Sequence, residues 1–210
     1  VSSPVLIFGG SFDPPTNAHR ILPIRAAEMI GSHRVIYVPA AVSPHKLETP
    51  PLDPIHRVAM LELAIDGQEI AEIDRIELER EGPSYMIDTV RALRDQIDEA
   101  APLRLLIGDD QAVSFHRWKD WDPIIGIAEP LVLPRLFSTS EAFARRLEQE
   151  GVWTADDIQH WLGWRLDLPI MDVEATVIRN RIQSGESIDD LLPASVQAYI
   201  LEHDLYRTTA

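Results

Sequence analysis

Short apolar runs recur along this chain, with amphipathic stretches between them. "PVLIFG" (4–9), "RVIYVPA" (34–40), "LRLLIG" (103–108) and "EPLVLP" (129–134) are continuous enough to predict strands buried on both faces. "IAEIDRIEL" (70–78) alternates in part, as a strand with one wetter face would. Between them, residues 55–65 carry apolar side chains at Ile55, Val58, Leu61 and Ile65, and residues 86–97 at Met86, Ile87, Val90, Leu93 and Ile97. Those spacings predict helices. Alternating strand and helix predicts an α/β fold, a parallel sheet with helices on both faces.

The stretch 138–168 has another character. "STSEAFARRLEQEG" and "TADDIQHWLGWRL" each open on an N-cap candidate, Ser140 and Thr154, and Gly151 supplies a stop between them. An inserted helical pair is predicted there, with Trp153, Trp161 and Trp164 read as core or contact residues. The helices also offer a subunit contact, hence a homo-oligomer. "SVQAYILEHDLY" reads as a last packing helix, within C-terminal helices spanning 176–207. One domain over 1–210 accounts for all of this, and no internal repeat interrupts it.

Composition narrows the function classes. A formal net charge of −15 argues against binding long nucleic acid, which needs a basic surface. It leaves room for a small anionic substrate, because exposed charges are screened beyond roughly 8 Å at physiological salt and a few local cations suffice. No apolar stretch approaches the roughly 18–20 residues of a membrane span, and no signal segment opens the chain. Zero cysteines exclude disulfides and thiolate metal sites. A cytoplasmic protein is expected.

The chemistry is concentrated in "GGSFDPPTNAH" (9–19), at the carboxyl end of the first strand, where open α/β sheets bind ligands. Gly9 and Gly10 permit tight turning and close approach of backbone N–H groups to an anion. Thr16 and His19 follow near a helix N-terminus, where dipole and free N–H groups favour phosphate. A histidine there can donate to charge developing on a phosphoryl oxygen. The same residues also read as a glycine-rich turn with an incidental histidine. Pro23 adds a constraint, since it cannot donate to the carbonyl of His19. A helix starting near Asn17 should kink or start late, at about 3 kcal/mol if forced, and either outcome would re-aim His19.

This stretch resembles the GGxFDPxHxGH signature of the (H/T)xGH nucleotidylyltransferases, and most closely that of the nicotinate-nucleotide adenylyltransferase family. Further stretches follow in the family's order: "VPAAVSPHK" (38–46), "HRVAMLELAI" (56–65), "EREGPSY" and "DTVRAL" (within 79–94), "LIGDD" and "RWKDW" (within 106–121), "TVIRNRI" (176–182) and "LLPASVQAYILEHDLY" (191–206). The resemblance covers most of the chain outside the inserted pair. It implies a Rossmann-like sheet and transfer of AMP from ATP to a pyridine mononucleotide, nicotinate mononucleotide first. The products would be deamido-NAD and pyrophosphate, with Mg²⁺ held mainly through substrate phosphates.

Carried over residue by residue, the resemblance implies that Thr16 and His19 hydrogen-bond the ATP phosphates, with His19 nearest the reacting phosphorus. Gly9, Gly10, Ser11 and Phe12 form the ATP turn. Lys46, beside His45, would hold phosphate, though "SPHK" alone reads as a polar turn with a solvated lysine. Arg179 would grip the outer phosphates from a helix start that includes Thr176 and Ile178, and Thr176 reads independently as its N-cap. Gly108 and Asp110 would take ribose hydroxyls. Ser84 and Tyr85 would read the ring's carboxylate, and Trp118 would stack on the pyridine, although a tryptophan in "FHRWKDW" otherwise reads as core.

The chain departs from the pattern at the ATP side. Thr16 replaces a histidine, Ala18 a glycine, and Glu174 and Ala175 two serines, while Asp109 adds charge where a small neutral residue is usual. Met86 stands where a hydroxyl residue is common. These departures keep two alternatives open: a catalytically weak or inactive nucleotide-binding homologue acting as a sensor, and an adenylyltransferase for another acceptor. Nicotinamide mononucleotide, phosphopantetheine and flavin mononucleotide are the candidate acceptors.

Overall fold

Five strands, β1 (Val5–Gly10), β2 (Val35–Pro39), β3 (Ala71–Ile73), β4 (Leu103–Gly108) and β5 (Ala128–Leu133), make one sheet in the order β3-β2-β1-β4-β5. Every neighbouring pair is parallel. The structure is a computed structural model describing residues 2–41, 51–80, 82–171 and 173–207. From β1 the chain winds outward through β2 and β3, then returns to β1's other side with β4. The crevice above the carboxyl ends of β1 and β4 is therefore the topological switch point, where such sheets bind ligands. The glycine pair ends β1 there, and Gly108 ends β4.

Nine helices surround the sheet among the described residues: α1 (Asn17–Ile30), α2 (Pro54–Ile65), α3 (Met86–Gln96), α4 (Asp109–Val113), α5 (Trp121–Ile127), α6 (Ser140–Glu150), α7 (Ala155–Trp164), α8 (Ala175–Ser184) and α9 (Ala194–Glu202). Strand alternation divides the core. Val5 and Ile7 face Val90 and Leu93 of α3 and Phe143 of α6, whereas Leu6 and Phe8 face Leu22 of α1 and Leu61 of α2. A third cluster joins Met60 and Ala64 of α2 to Ile178 of α8 and to Val196 and Ile200 of α9. It ties the C-terminal helices to the side of the sheet that carries α1.

The predicted strand at 70–78 is shorter than its pattern. Pairing ends when the Asp74 N–H donates to the Tyr37 carbonyl at 2.9 Å, and the Asp74 carboxylate then accepts from the Ile76 N–H at 2.9 Å, starting a turn. The helical pair at 138–168 is present as α6 and α7. Thr139, rather than Ser140, caps α6, accepting from the Ala142 N–H at 3.1 Å, and Thr154 caps α7 as expected. Trp153 and Trp161 are buried in the core shared with β1 and β4. A subunit contact on this pair would not use those two rings.

Of the two outcomes expected for α1, a kink or a late start, the late start does not occur. Thr16 caps it, Asn17 opens it, and it runs through Pro23 to Gly31, whose left-handed conformation stops it. The His19 carbonyl, which Pro23 cannot serve, instead accepts from the Tyr37 hydroxyl at 3.1 Å. Among the described residues no helix is long and apolar enough to cross a membrane.

Candidate functional site

Two cavities open at the switch point, and they share a wall. One, of about 230 Å³, takes His19, Gly108, Arg135, Glu174, Thr176 and Arg179 among its lining; the other, of about 530 Å³, takes Ser84, Tyr85, Trp118 and Lys119. Gly9, Gly10, Ser11 and Gln111 border both. His19 and Arg179, separated by 160 positions of sequence, face the same small lobe. The large lobe collects the expected mononucleotide residues Ser84, Tyr85 and Trp118. His45 and Lys46 lie outside the described residues.

The turn after β1 is built to stay open. Phe12 adopts a positive φ of 48° and is 1% exposed, its ring folded back so that a side chain at Gly10 would meet it at 3.1 Å. Beneath the turn, the fully buried Arg57 donates to the Ser11 carbonyl at 2.7 Å and to the Leu52 carbonyl at 2.8 Å. Asp13 joins the turn to the far end of the chain. Its carboxylate accepts from the Tyr206 hydroxyl at 2.7 Å, and its carbonyl accepts from Arg179 at 2.6 Å. Arg179 also donates to the Thr176 hydroxyl at 3.1 Å, so its guanidinium is held at the lip of the small lobe.

His19 sits in the first turn of α1. Its Nδ1 accepts from the Thr16 backbone N–H at 2.9 Å, and its ring is set edge-on to Phe12, with centroids 5.4 Å apart. Burial, and then the neighbouring Arg135 charge, lower its pKa from 6.5 to about 4. The neutral ring with Nδ1 occupied as an acceptor carries its proton on Nε2. His19 is thus a neutral N–H donor in the small lobe.

Several assignments change in the structure. Thr16 is fully buried and lines neither lobe. Its hydroxyl lies 3.0 Å from His19 Nδ1, so it is turned toward the histidine and away from the lobe. Ile178 is likewise fully buried, in the C-terminal cluster, and gives the lobe no side chain. Glu174, rather than Thr176, is the N-cap of α8, and Thr176 lines the lobe one residue inside the helix. Asp109 turns away from the site: fully buried, it accepts from the N–H groups of Leu136 and Phe137 at 2.9 and 3.2 Å. It secures the 136–137 backbone and adds no charge to the lobe. Ala18 is helical, so the left-handed conformation that would demand glycine is not required.

Asp110 pairs with Arg135 at 3.0 Å through one oxygen, and its other oxygen is buried with no partner among the described residues. Gly108 leaves the space that this carboxylate folds into. The free oxygen is an acceptor in want of a donor, but Asp110, unlike Gly108, lines neither lobe. Ser84 lines the large lobe with a buried hydroxyl that lies beside the Glu77 carboxylate. Trp118 is half-buried against Phe115, ring centroids 4.7 Å apart, and lines the large lobe.

Several lining residues were not foreseen, among them Gln111, Arg135, Lys119 and Glu77. Gln111 stands where the lobes meet, Arg135 brings a second cation to the small lobe, and Lys119 lies 4.4 Å from the Tyr85 ring centroid. Glu77 is 3% exposed in the wall of the large lobe. Burial raises its pKa, while a bond from the Thr89 hydroxyl at 2.7 Å partly offsets this. An arginine after the β5 run and a glutamate three residues before Arg80 carried no motif that would single them out.

A glycine turn at the switch point of a β3-β2-β1-β4-β5 sheet, opening on two joined lobes, defines a nucleotide-binding α/β protein. The cytidylyltransferase-like family profile matches residues 7–181, and the chain belongs to that family. More narrowly, it is 37% identical over 209 residues to the nicotinate-nucleotide adenylyltransferase of Salmonella typhimurium, covering 96% of this chain and 97% of that one. A Salmonella gallinarum protein named "Probable nicotinate-nucleotide adenylyltransferase" is 38% identical over the same shares of the two chains. Among solved structures, the Plasmodium falciparum nicotinic acid mononucleotide adenylyltransferase complexed with NaAD aligns with a TM-score of 0.73 at 16% identity, covering 98% of each chain. At that identity the likeness concerns the fold.

Proposed function

We propose that this chain transfers the adenylyl group of ATP to nicotinate mononucleotide, giving deamido-NAD and pyrophosphate. The observation that carries this is the shared border of Gly9, Gly10, Ser11 and Gln111 between the two lobes. A triphosphate in the small lobe and a mononucleotide in the large one bring their phosphates together there. An oxygen of the mononucleotide phosphate attacks the α-phosphorus, a new O–P bond forms, the bond to the bridging oxygen breaks, and pyrophosphate leaves with that electron pair.

The residues act by position and charge. His19 donates Nε2–H to the phosphoryl oxygens as charge builds. Arg179, steadied by Asp13 and Thr176, meets the departing pyrophosphate, with Arg135 behind it. Asp110, paired with Arg135 at 3.0 Å, steadies that second cation from outside the lobe. In the large lobe Trp118 lies along the pyridine, and the N-terminus of α3, whose first residues form the wall, favours the ring's carboxylate.

Mg²⁺ bound to the triphosphate would neutralise charge on the phosphate oxygens. The carboxylates lining the small lobe are Asp13, already engaged by Tyr206, and Glu174, which makes no capping bond; Glu174 is the side chain that fits such an ion. A cytoplasmic setting accords with the absence of cysteine from the chain.

The test is pyrophosphate release from ATP and Mg²⁺ with nicotinate or nicotinamide mononucleotide in parallel. Faster release with the acid is expected. Release with the amide alone would change the acceptor, and saturable ATP binding without release would make the protein a nucleotide sensor.

A further inference from the structure

The carbonyl of His19 would, in an uninterrupted helix, accept from the N–H of residue 23. Pro23 has none, and the resulting orphan lies on the residue that aims at the phosphates. It is not left unpaired. Tyr37, fully buried on β2, reaches across with its hydroxyl and donates to that carbonyl at 3.1 Å.

We propose that Tyr37 is a positioning residue for His19, its hydroxyl replacing from the sheet the hydrogen bond that Pro23 withholds within the helix. This rests on the reading of His19 as the phosphate donor and extends it to a residue that touches neither lobe. A phenylalanine would fill the same space, since the Tyr37 ring packs on Phe8 and Phe12 with centroids 5.7 and 6.0 Å away. The hydroxyl's contribution is directional. The peptide following His19 is gripped at both ends: its carbonyl by Tyr37, and its N–H, that of Arg20, by the Thr16 carbonyl at 3.2 Å. The ring is held separately, by the Thr16 N–H on Nδ1. Release of the carbonyl frees the backbone of the first turn to rotate and swings Nε2 off its line to the phosphorus. Misplacement of this kind is felt in the transition state more than in ground-state binding.

Proline and tyrosine are thus a compensating pair, and the compensation can be tested by removing both. Tyr37→Phe should lower kcat about tenfold with both KM values nearly unchanged. Pro23→Ala alone should leave kcat near wild type. Pro23→Ala in the Tyr37→Phe background should restore kcat, because an alanine at that position brings back the N–H that the His19 carbonyl needs. The ¹⁵N shifts of the His19 ring, read without turnover, should move in Tyr37→Phe and return in the double variant. Wild-type kcat in Tyr37→Phe overturns the proposal. So does a double variant as slow, or as poorly folded, as Tyr37→Phe alone. His19→Ala separates the two levels: if it is slow while Tyr37→Phe is unimpaired, only the role of Tyr37 falls. If His19→Ala turns over normally, the reading of His19 itself falls.

Discussion

The backbone N–H of Thr16 donates to Nδ1 of His19 at 2.9 Å, so the residue standing where a histidine is usual serves the histidine that remains. Its hydroxyl, 3.4 Å from the His19 N–H, closes the reciprocal cap of α1. Among the described residues the site therefore presents one imidazole, His19, with its tautomer fixed from behind.

That imidazole should titrate unusually low. Burial first, then Arg135, lower its pKa from 6.5 to about 4, so the unfolded chain binds the proton more readily than the folded one. The stability from this difference is complete above pH 6.5 and is lost as pH falls from there through about 4. It amounts to roughly 3 kcal/mol. NMR titration of the free protein should find His19 near pH 4, moving upward when ATP brings its anionic tail into the lobe. A free-protein value close to that of an ordinary histidine would remove both the burial and the neutral-donor reading.

Asp109 looks from the sequence like an extra charge among phosphates, and the structure turns it into a fastener. Asp109→Ala should cost stability, about 2–4 kcal/mol, because it strips two part-buried N–H groups of their acceptor and leaves Arg165, 3.9 Å away, without its carboxylate. Denaturant unfolding measures the loss. Urea midpoints equal to wild type, or a KM for ATP that improves as if repulsion had been lifted, would return Asp109 to the site.

The contrast between these residues shows what the pattern could carry. The β1, β2, β4 and β5 runs are buried on both faces, so apolar continuity alone revealed them. α4 and α5 span Asp109–Val113 and Trp121–Ile127, too short for a helical period to register. β3 was overdrawn because the alternation of 70–78 continues past Asp74, whose side chain bonds locally and ends the strand. Motif spacing brought His19, Arg179, Tyr85 and Trp118 to one crevice, since a motif encodes backbone position. It could not tell that Asp109 and Thr16 point inward, because side-chain direction depends on neighbours supplied by distant elements. The bond from Tyr37 to His19 is of the same kind: Pro23 disclosed the need, and nothing in the chain disclosed the donor.

Trp118 should separate the two substrates. It lines the large lobe only, so Trp118→Ala should raise KM for the mononucleotide tenfold or more, about the worth of one stacked ring, and leave ATP binding unchanged. Its contact with Phe115 predicts a small loss of stability besides. Isothermal titration with each nucleotide separately makes the comparison. A loss confined to ATP would reverse the assignment of the lobes.

Glu174 is the departure that remains at the phosphates. It is exposed, lines the small lobe, and caps α8 without a side-chain bond, so the first amides of that helix lack the cap a serine would give. Two consequences of Glu174→Ser have the same sign if the carboxylate is merely a burden. The new cap should raise stability by about 0.5–1 kcal/mol, and removal of a negative charge beside the triphosphate should lower KM for ATP a few-fold at low salt, less at high salt. If the carboxylate instead helps to hold Mg²⁺ on the triphosphate, stability should still rise while kcat falls, and the Mg²⁺ concentration needed for half-maximal rate should climb. Thermal unfolding without nucleotide and a Mg²⁺ titration of turnover distinguish these, because capping acts in the empty protein and the ion only in the loaded one.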